Sequence, residues 1–320
     1  AWSVRACIVL VLALVALAVG WRQFVDPAAD GPTYPDAWDD RVLPLVEDVE
    51  ELRGLEFDHP VHVDFVPVDE FKEEVRADEG DLTDQDRDEL EDTVPLFRAL
   101  GLLDGDLDLF ESLQDLSSGG VLAYYSPEEK RVRARGTEPP PAVPYTVVHE
   151  LTHALQDQHF DLDAKLEELK DTDANTAGVY RAVVEGDANR VATAWAARRP
   201  AAEQQSLQQA LVEQSEQGRE DMAEIPGVLV TLMSAPYALG EPLTTLVASE
   251  DQAALDALFD QPPGNDEVLL DPFVHDTPGA EPVDVPEAEV PDGAEEIDAG
   301  EFGALSLYLV LAERLDIRAA

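Results

Sequence analysis

The chain has 320 residues, of which 69 are Asp or Glu and only 21 are Lys or Arg, for a formal net charge of −48. A nucleic-acid-binding surface must be basic to meet phosphates, so this charge excludes nucleic acid as a partner. Hydrophobic residues make up 45% of the chain, so we expect a folded protein. The acidic excess indicates adaptation to concentrated salt, as in a haloarchaeon, because molar salt shortens the electrostatic screening length to roughly 3 Å.

The first segment, residues 1–22, is predicted to be a signal peptide or a membrane anchor. Arg5 precedes an apolar run of 14 residues from Ala6 to Val19. This run is short for a membrane span and has the length of the apolar part of a secretory signal. Either alternative places the rest of the chain outside the cell or at its surface. Cys7 is the only cysteine, so intrachain disulfides do not stabilise the protein.

Residues 23–115 are predicted to form a mostly helical N-terminal region. Apolar residues at helical spacing predict a helix over 36–55, and alternating apolar residues predict a strand over 59–66. A further helical stretch is expected over 71–103, with an acidic break around Gly80.

Two short β-prone runs, 121–125 and 131–135, flank a turn-forming cluster and predict a hairpin. The exposed edge of such a hairpin can bind an extended peptide by β-augmentation. Arg131, Arg133 and Arg135 alternate along the second run, so we expect them to share one face. There they either neutralise nearby carboxylates or contact acidic segments of a substrate.

The next helix is predicted from Pro144 to about Phe160, since proline is accepted at a first helical position and apolar residues then recur at helical spacing. It contains the sequence His-Glu-Leu-Thr-His. His149 and His153 are four residues apart and lie on one face, so both imidazoles can bind a single metal ion. Glu150 can act as general base on a metal-bound water. The residues beside these histidines carry no charge, which favours a dry cleft and a metal site.

Two residues are candidates for the third metal ligand. Glu185 belongs to a second predicted helix, 173–198, and is flanked by apolar and small residues, where a buried carboxylate is costly unless a cation meets it. It would complete a His2Glu site with one open position. His159 is the alternative, at the spacing of the metzincin pattern. Gln156, however, stands where that pattern needs a glycine to break the helix.

Two motifs carry a resemblance to a known family. Residues 149–158 read HELTHALQDQ and residues 185–188 read EGDA. Together they resemble gluzincin-type zinc metallopeptidases, in particular a group of prokaryotic envelope proteins with the same motifs. The resemblance is specific over about residues 119–190 and weaker towards the C-terminus.

The resemblance implies a zinc site and a general base. It assigns the base to Glu150, and it implies that Asp187 or Asp157 orients an imidazole by a hydrogen bond. A second donor to the oxyanion is usual in this chemistry. The candidates for that donor are Tyr180, Tyr237, His159 and His275, and the implied Zn²⁺ ligands are His149, His153 and Glu185.

The expected fold is α+β and predominantly helical, with a zincin-like core at 116–200. In this core a small antiparallel hairpin or sheet packs against the helix that carries the two histidines. Residues 201–320 are predicted to form a C-terminal helical region, interrupted by an acidic, proline-rich loop at 276–300. Its helical segments are expected over 201–218, 226–259 and 302–317.

The predicted function is that of a zinc-dependent metallopeptidase that hydrolyses peptide or protein substrates at or outside the cell surface. The alternative is an envelope protein that keeps the zincin fold but serves binding or assembly, with little peptidase activity. Glu150 favours the enzyme, because a binding protein need not retain a general base.

Overall fold

The structure, a computed structural model, describes residues 32–80, 94–95, 97–103, 105, 121–137, 140–170, 174–221, 225–275 and 303–314. These residues are mostly helical and include one small three-stranded sheet, which confirms the predominantly helical prediction. The predicted signal segment and the predicted loop at 276–300 lie outside the described residues. Within the described ranges, no helix is both long and apolar enough to cross a membrane.

Helices and strands follow one another in an order close to the predicted one. The longest helices are those around the metal-site motifs and in the C-terminal region. In chain order the elements are α1 (Leu43–Arg53), β1 (His62–Val66), α2 (Val68–Gly80), β2 (Ala123–Ser126), β3 (Arg131–Arg135), α3 (Val143–Phe160), α4 (Leu162–Lys170), α5 (Ala174–Ala197), α6 (Ala201–Asp221), α7 (Gly227–Glu250), α8 (Gln252–Asp260), α9 (Glu267–Leu270) and α10 (Ala304–Arg314), with a 3-10 turn at Pro272–Val274.

The first helix and the first strand are shorter than predicted. Helix α1 begins at Leu43 rather than near residue 36, and Pro44 stands in its first turn, where the missing N–H costs nothing. Strand β1 begins at His62 rather than three residues earlier. Pro60 precedes it and has no N–H to donate to a sheet. In both cases apolar periodicity alone predicted a start that is too early, and a proline lies near the observed start.

Strand β3 lies in the centre of the sheet, between β1 and β2. Strands β2 and β3 form the predicted antiparallel hairpin, with Tyr125 opposite Val132. Strand β1 pairs with β3 in parallel, with Val63 opposite Val132, so the sheet is mixed rather than purely antiparallel. Parallel pairing requires a long crossover connection, and the chain between β1 and β3 provides one.

The arginines of β3 share one face, as predicted, while Val132 and Ala134 are buried on the other. Arg131 forms an ion pair with Asp64 on β1. Arg133 lies with its Nε 3.4 Å from Glu74 Oε2 on α2. These pairs support the neutralisation of carboxylates rather than contact with a substrate.

Helix α5 lies at the boundary between two hydrophobic clusters. Its C-terminal half, from Val191 to Trp195, packs with α1, α3 and the sheet. Its N-terminal half, from Ala177 to Val184, packs with α4, α7 and α8. Glu185 falls between the two halves. A side chain at this position can therefore reach a site that both parts of the core enclose.

Helices α5 and α7 touch backbone to backbone at two glycines. A Cβ atom at Gly186 would lie 2.1 Å from the carbonyl carbon of Gly240, and one at Gly240 would lie 1.8 Å from the carbonyl oxygen of Ala182. Both distances are far shorter than any van der Waals contact. The absence of a side chain therefore sets the spacing of these two helices, which carry Glu185 and Tyr237.

Candidate metal centre

Three predicted ligands from two helices converge on one point. His149 and His153 lie on successive turns of α3, and Glu185 projects from α5. Glu185 Oε2 is 3.2 Å from the Nε2 atom of each histidine, and the two Nε2 atoms are 3.0 Å apart. The histidines are buried and the glutamate is half-buried. This cluster can hold a metal ion.

The spacing of the three ligand atoms fits a small tetrahedral ion. Imidazole nitrogens and carboxylate oxygens bind such an ion at about 2.0–2.2 Å, which places any two of them about 3.4 Å apart. The observed separations of 3.0–3.2 Å are close to that value. Three protein ligands leave one position of a tetrahedron for water or a substrate atom.

The charges of the site also favour a cation. Burial alone lowers the pKa of His153, but the charge of Glu185 and a hydrogen bond to it outweigh burial and raise that pKa to about 9. Burial raises the pKa of Glu185, yet the two histidines outweigh it and lower the pKa overall. A positive charge between the imidazoles and the carboxylate is thus stabilised, and a metal ion can supply that charge in place of the extra proton on His153.

Gln156 fixes the orientation of His153. Its Oε1 accepts a hydrogen bond from His153 Nδ1 at 3.0 Å, while its Nε2 donates to the Val184 carbonyl at 3.1 Å and to Asp187 Oδ2 at 3.0 Å. Two acceptors surround one end of the Gln156 amide, which identifies that end as the nitrogen. The amide oxygen therefore faces the His153 imidazole, and Nδ1 of that imidazole carries the proton. The lone pair of His153 Nε2 is then available to a metal.

The Asp187 carboxylate behind Gln156 is held by two arginines. Arg53 Nε donates to it at 2.6 Å and Arg190 Nη2 donates at 2.7 Å. Arg53 is fully buried and its Nη1 also lies 2.7 Å from Asp256 Oδ1. Burial raises the pKa of Asp187, but the charges of Arg53 and Arg190 outweigh burial and lower it overall. The carboxylate therefore stays ionised and keeps Gln156 in place.

The structure corrects the predicted role of the two aspartates. Asp187 acts through Gln156 rather than directly on an imidazole. Asp157 faces β2 and the hairpin turn, where it accepts hydrogen bonds from Tyr125 Oη and Lys130 Nζ, each at 2.6 Å. The sequence predicted only a helix-forming role for Gln156. Its position three residues after His153 was the available signal, since side chains three apart meet on a helix.

Glu150 lies beside the cluster and is tied to the sheet. Its Oε2 accepts a hydrogen bond from the backbone N–H of Tyr125 at 2.9 Å. Burial raises the pKa of Glu150, and the charges of His149 and His153 offset only part of that rise. A buried carboxylate with a raised pKa, next to a metal-binding cluster, is suited to accept and release a proton.

Tyr237 from α7 lies on another side of the cluster. Its ring is stacked against the imidazole of His149, with centroids 6.1 Å apart and 24° between the planes. Burial raises the pKa of Tyr237 well above its ordinary value, and the charges of Glu185 and Glu150 raise it further. The hydroxyl therefore stays protonated and can donate a hydrogen bond.

The other three candidate donors lie elsewhere. Tyr180 packs against Phe259 in the core. His159 donates from Nε2 to the Glu56 carbonyl at 2.8 Å, so it is also not the third ligand. His275 has its Nε2 3.3 Å from Glu250 at the end of α7. Of the four predicted donors, the structure brings Tyr237 to the cluster.

Comparison with known proteins adds no relative. No family model matches the chain, and no curated protein or solved structure matches it.

Replacing Gln156 by leucine is expected to weaken metal affinity about 10–100-fold, the range seen when a group that orients a metal-bound histidine is lost. Leucine cannot accept the proton of His153 Nδ1, so the imidazole loses its fixed tautomer. The measurement is competition with a chromophoric chelator in molar KCl.

The matched control for this change is Gln158→Leu. Gln158 lies on the same helix but hydrogen-bonds the backbone of Asp58 and His59 instead of a ligand. Equal loss of affinity in both variants would show that Gln156 acts on the fold in general and not on His153.

Proposed function

We propose that the protein is a zinc-dependent metallopeptidase of the gluzincin type, built on a zincin-like core. The observation that carries the proposal is the convergence of two imidazole nitrogens and one carboxylate oxygen within 3.2 Å of one another, with Glu150 beside them. A His2Glu set with one open position is the ligand set of catalytic zinc in peptidases, and the nitrogen donors favour zinc over Mg²⁺ or Ca²⁺.

When bound, zinc acidifies water and polarises a carbonyl group. Glu150 supplies what the ion cannot, a group that accepts a proton from the attacking water and passes it to the leaving amine. The Tyr125 N–H that binds Glu150 Oε2 keeps this carboxylate at the edge of the sheet. The raised pKa of Glu150 lets it hold the proton between the two steps.

Tyr237 is the group that donates a hydrogen bond to the developing oxyanion. Its hydroxyl is protonated, and the stacking of its ring on His149 holds it in the site near Glu185 and Glu150. A donor held in place before the reaction stabilises charge without a cost of reorganisation.

The outer edge of β2 faces Glu150 and is buried, since Ala123, Tyr124 and Tyr125 are each only 3% exposed. The Leu122 carbonyl accepts from Arg135 N–H on β3, so the backbone groups of Ala123 and Tyr125 point away from β3. Tyr125 N–H is occupied by Glu150. In the described part of the chain no strand pairs with this edge. Because these residues are buried, the edge holds Glu150 in place and does not offer the open strand that β-augmentation needs.

The place of action follows from the composition. We propose that the peptidase works at or outside the cell surface in concentrated salt, with the apolar segment Ala6–Val19 as its export signal or anchor. Its substrates are peptides or proteins. Nucleic acid is not a partner, because a charge of −48 repels phosphates.

The test compares metal content and casein hydrolysis in molar KCl for wild type, Glu185→Ala and His159→Ala. We expect stoichiometric zinc and hydrolysis in wild type, loss of both in Glu185→Ala, and retention of both in His159→Ala. His159 is the matched control because it belongs to the same helix as the two histidine ligands and bonds the backbone of Glu56.

Two results would refute the proposal. Zinc retained by Glu185→Ala but lost by His159→Ala would mean that the third ligand is misassigned. A wild-type protein with stoichiometric zinc that cleaves neither casein nor a mixed peptide library would favour the binding or assembly role.

A further inference from the structure

Arg181 on α5 is a buried cation without a counter-ion. The residue is only 7% exposed, and its Nε and Nη1 atoms are buried and make no hydrogen bond. Across the described ranges, no carboxylate forms an ion pair with it. Arg53 differs in this respect, since it is more deeply buried, at 0% exposed, but forms ion pairs with Asp187 and Asp256.

Burial without a partner is costly for a guanidinium group. Taking an ion out of water is offset in proteins only by an opposite charge or by good hydrogen bonds. Burial alone lowers the pKa of Arg181, to about 10, so the group still carries its charge at neutral pH. A charge that the folded protein does not neutralise by itself is available to an anionic ligand.

The position of Arg181 relates it to the metal centre. It precedes Glu185 by four residues on α5, so the two side chains leave the helix on the same side. Helical side chains lean towards the N-terminus of their helix. The guanidinium of Arg181 therefore lies at least one helical turn from Glu185, about 5.4 Å along the axis of α5 towards its N-terminus. An extended peptide advances about 3.3–3.6 Å per residue, so a peptide group at this distance is roughly two or three residues from the scissile bond.

We infer that Arg181 binds a carboxylate of the substrate, two or three residues from the bond that is cleaved, and so selects acidic peptides or peptide ends. The inference rests on the proposed peptidase function and names its substrate class. The planar guanidinium fork matches a carboxylate in bidentate geometry, which an ammonium group cannot do. On a surface with a net charge of −48, such a substrate is otherwise repelled.

The test measures binding rather than turnover. Three dye-labelled hexapeptides of alanine and glycine serve as probes: a neutral C-terminal amide, the same peptide with a free C-terminal carboxylate, and the amide with one internal glutamate. Fluorescence anisotropy follows their binding to the zinc-loaded full chain with Glu150→Gln, which prevents cleavage, with and without Arg181→Met or Arg181→Lys.

With Arg181 intact, we expect at least one carboxylate probe to bind tenfold or more tightly than the neutral amide. Arg181→Met should abolish that preference, and Arg181→Lys should keep part of it. Preference for the free C-terminus would identify a carboxypeptidase-like mode, and preference for the internal glutamate would identify a side-chain pocket. Equal binding of all three probes, no binding of any probe, or a preference that survives in Arg181→Met would overturn the inference.

Thermal unfolding separates this role from a structural one. If Arg181 receives only substrate, Arg181→Met removes an uncompensated buried charge, and its melting temperature should equal or exceed that of wild type. A lower melting temperature together with equal probe binding would mean that a carboxylate of this chain pairs with Arg181. If the probes discriminate as expected while wild type cleaves nothing, the peptidase proposal fails and the carboxylate site stands.

Discussion

Replacing Glu150 by glutamine is expected to lower kcat about 10²–10⁴-fold, the contribution typical of a general acid–base residue. Glutamine has nearly the same shape, and its amide oxygen can still accept the Tyr125 N–H bond, so the position of the side chain is preserved. It cannot accept a proton from water. Because Glu150 is not one of the three converging ligands, zinc content should be unchanged. Steady-state cleavage of a quenched fluorescent peptide measures the first effect and elemental analysis the second.

The control for this substitution is Glu128→Gln. Glu128 is half-buried and, like Glu150, has a raised pKa, but it lies in the hairpin turn and contacts Ser126 rather than the cluster. Its loss should leave kcat within about twofold of wild type, as expected of a group that holds no reacting atom. If Glu150→Gln retained more than about a tenth of the wild-type kcat, another group would have to be the base.

Replacing Gly240 by alanine is expected to destabilise the fold by about 3 kcal/mol or more, the upper end of the range for an overpacked core. The new Cβ would lie 1.8 Å from the carbonyl oxygen of Ala182, a backbone atom that cannot rotate away. Helices α5 and α7 would have to separate, which also moves Glu185 away from Tyr237. Guanidinium denaturation of the metal-free protein in molar KCl measures the change.

A matched glycine provides the control. A Cβ at Gly264 would meet only the Thr176 hydroxyl at 3.5 Å, an ordinary contact, so Gly264→Ala should change stability by less than about 0.5 kcal/mol. If Gly240→Ala proved as mild as Gly264→Ala, the close approach of α5 and α7 would be wrong.

The local parts of the site could be predicted from the sequence because they depend on helical periodicity. His149 and His153 are on one face by their spacing alone. Glu185 was recognisable as a lone carboxylate in an apolar helix, a position that is costly without a cation. The hairpin before α3 was equally local, since its two strands are adjacent in the chain.

The parts that could not be predicted depend on contacts between distant segments. The parallel partner of β1 and the bond between Glu150 and the Tyr125 N–H follow from tertiary packing, not from any pattern within a segment. The same holds for Arg53 and Asp187, which are 134 residues apart. Arg181 carries no sequence signal either, because only the structure shows that it is buried without a partner.

The contacts of Arg53 have a consequence for the order in which the protein matures. Its guanidinium lies over the rings of Phe160 and Phe259 and forms ion pairs with Asp187 and Asp256. Its own helix α1 and the helices α3, α5 and α8 therefore meet at this one side chain. The tautomer of a metal ligand depends on Asp187 through Gln156. During synthesis, therefore, the full set of contacts around Arg53 and Asp187 forms only once the chain beyond residue 256 is made. In the proposed metallopeptidase, the ligand set would then be fully arranged for a metal ion only late in folding.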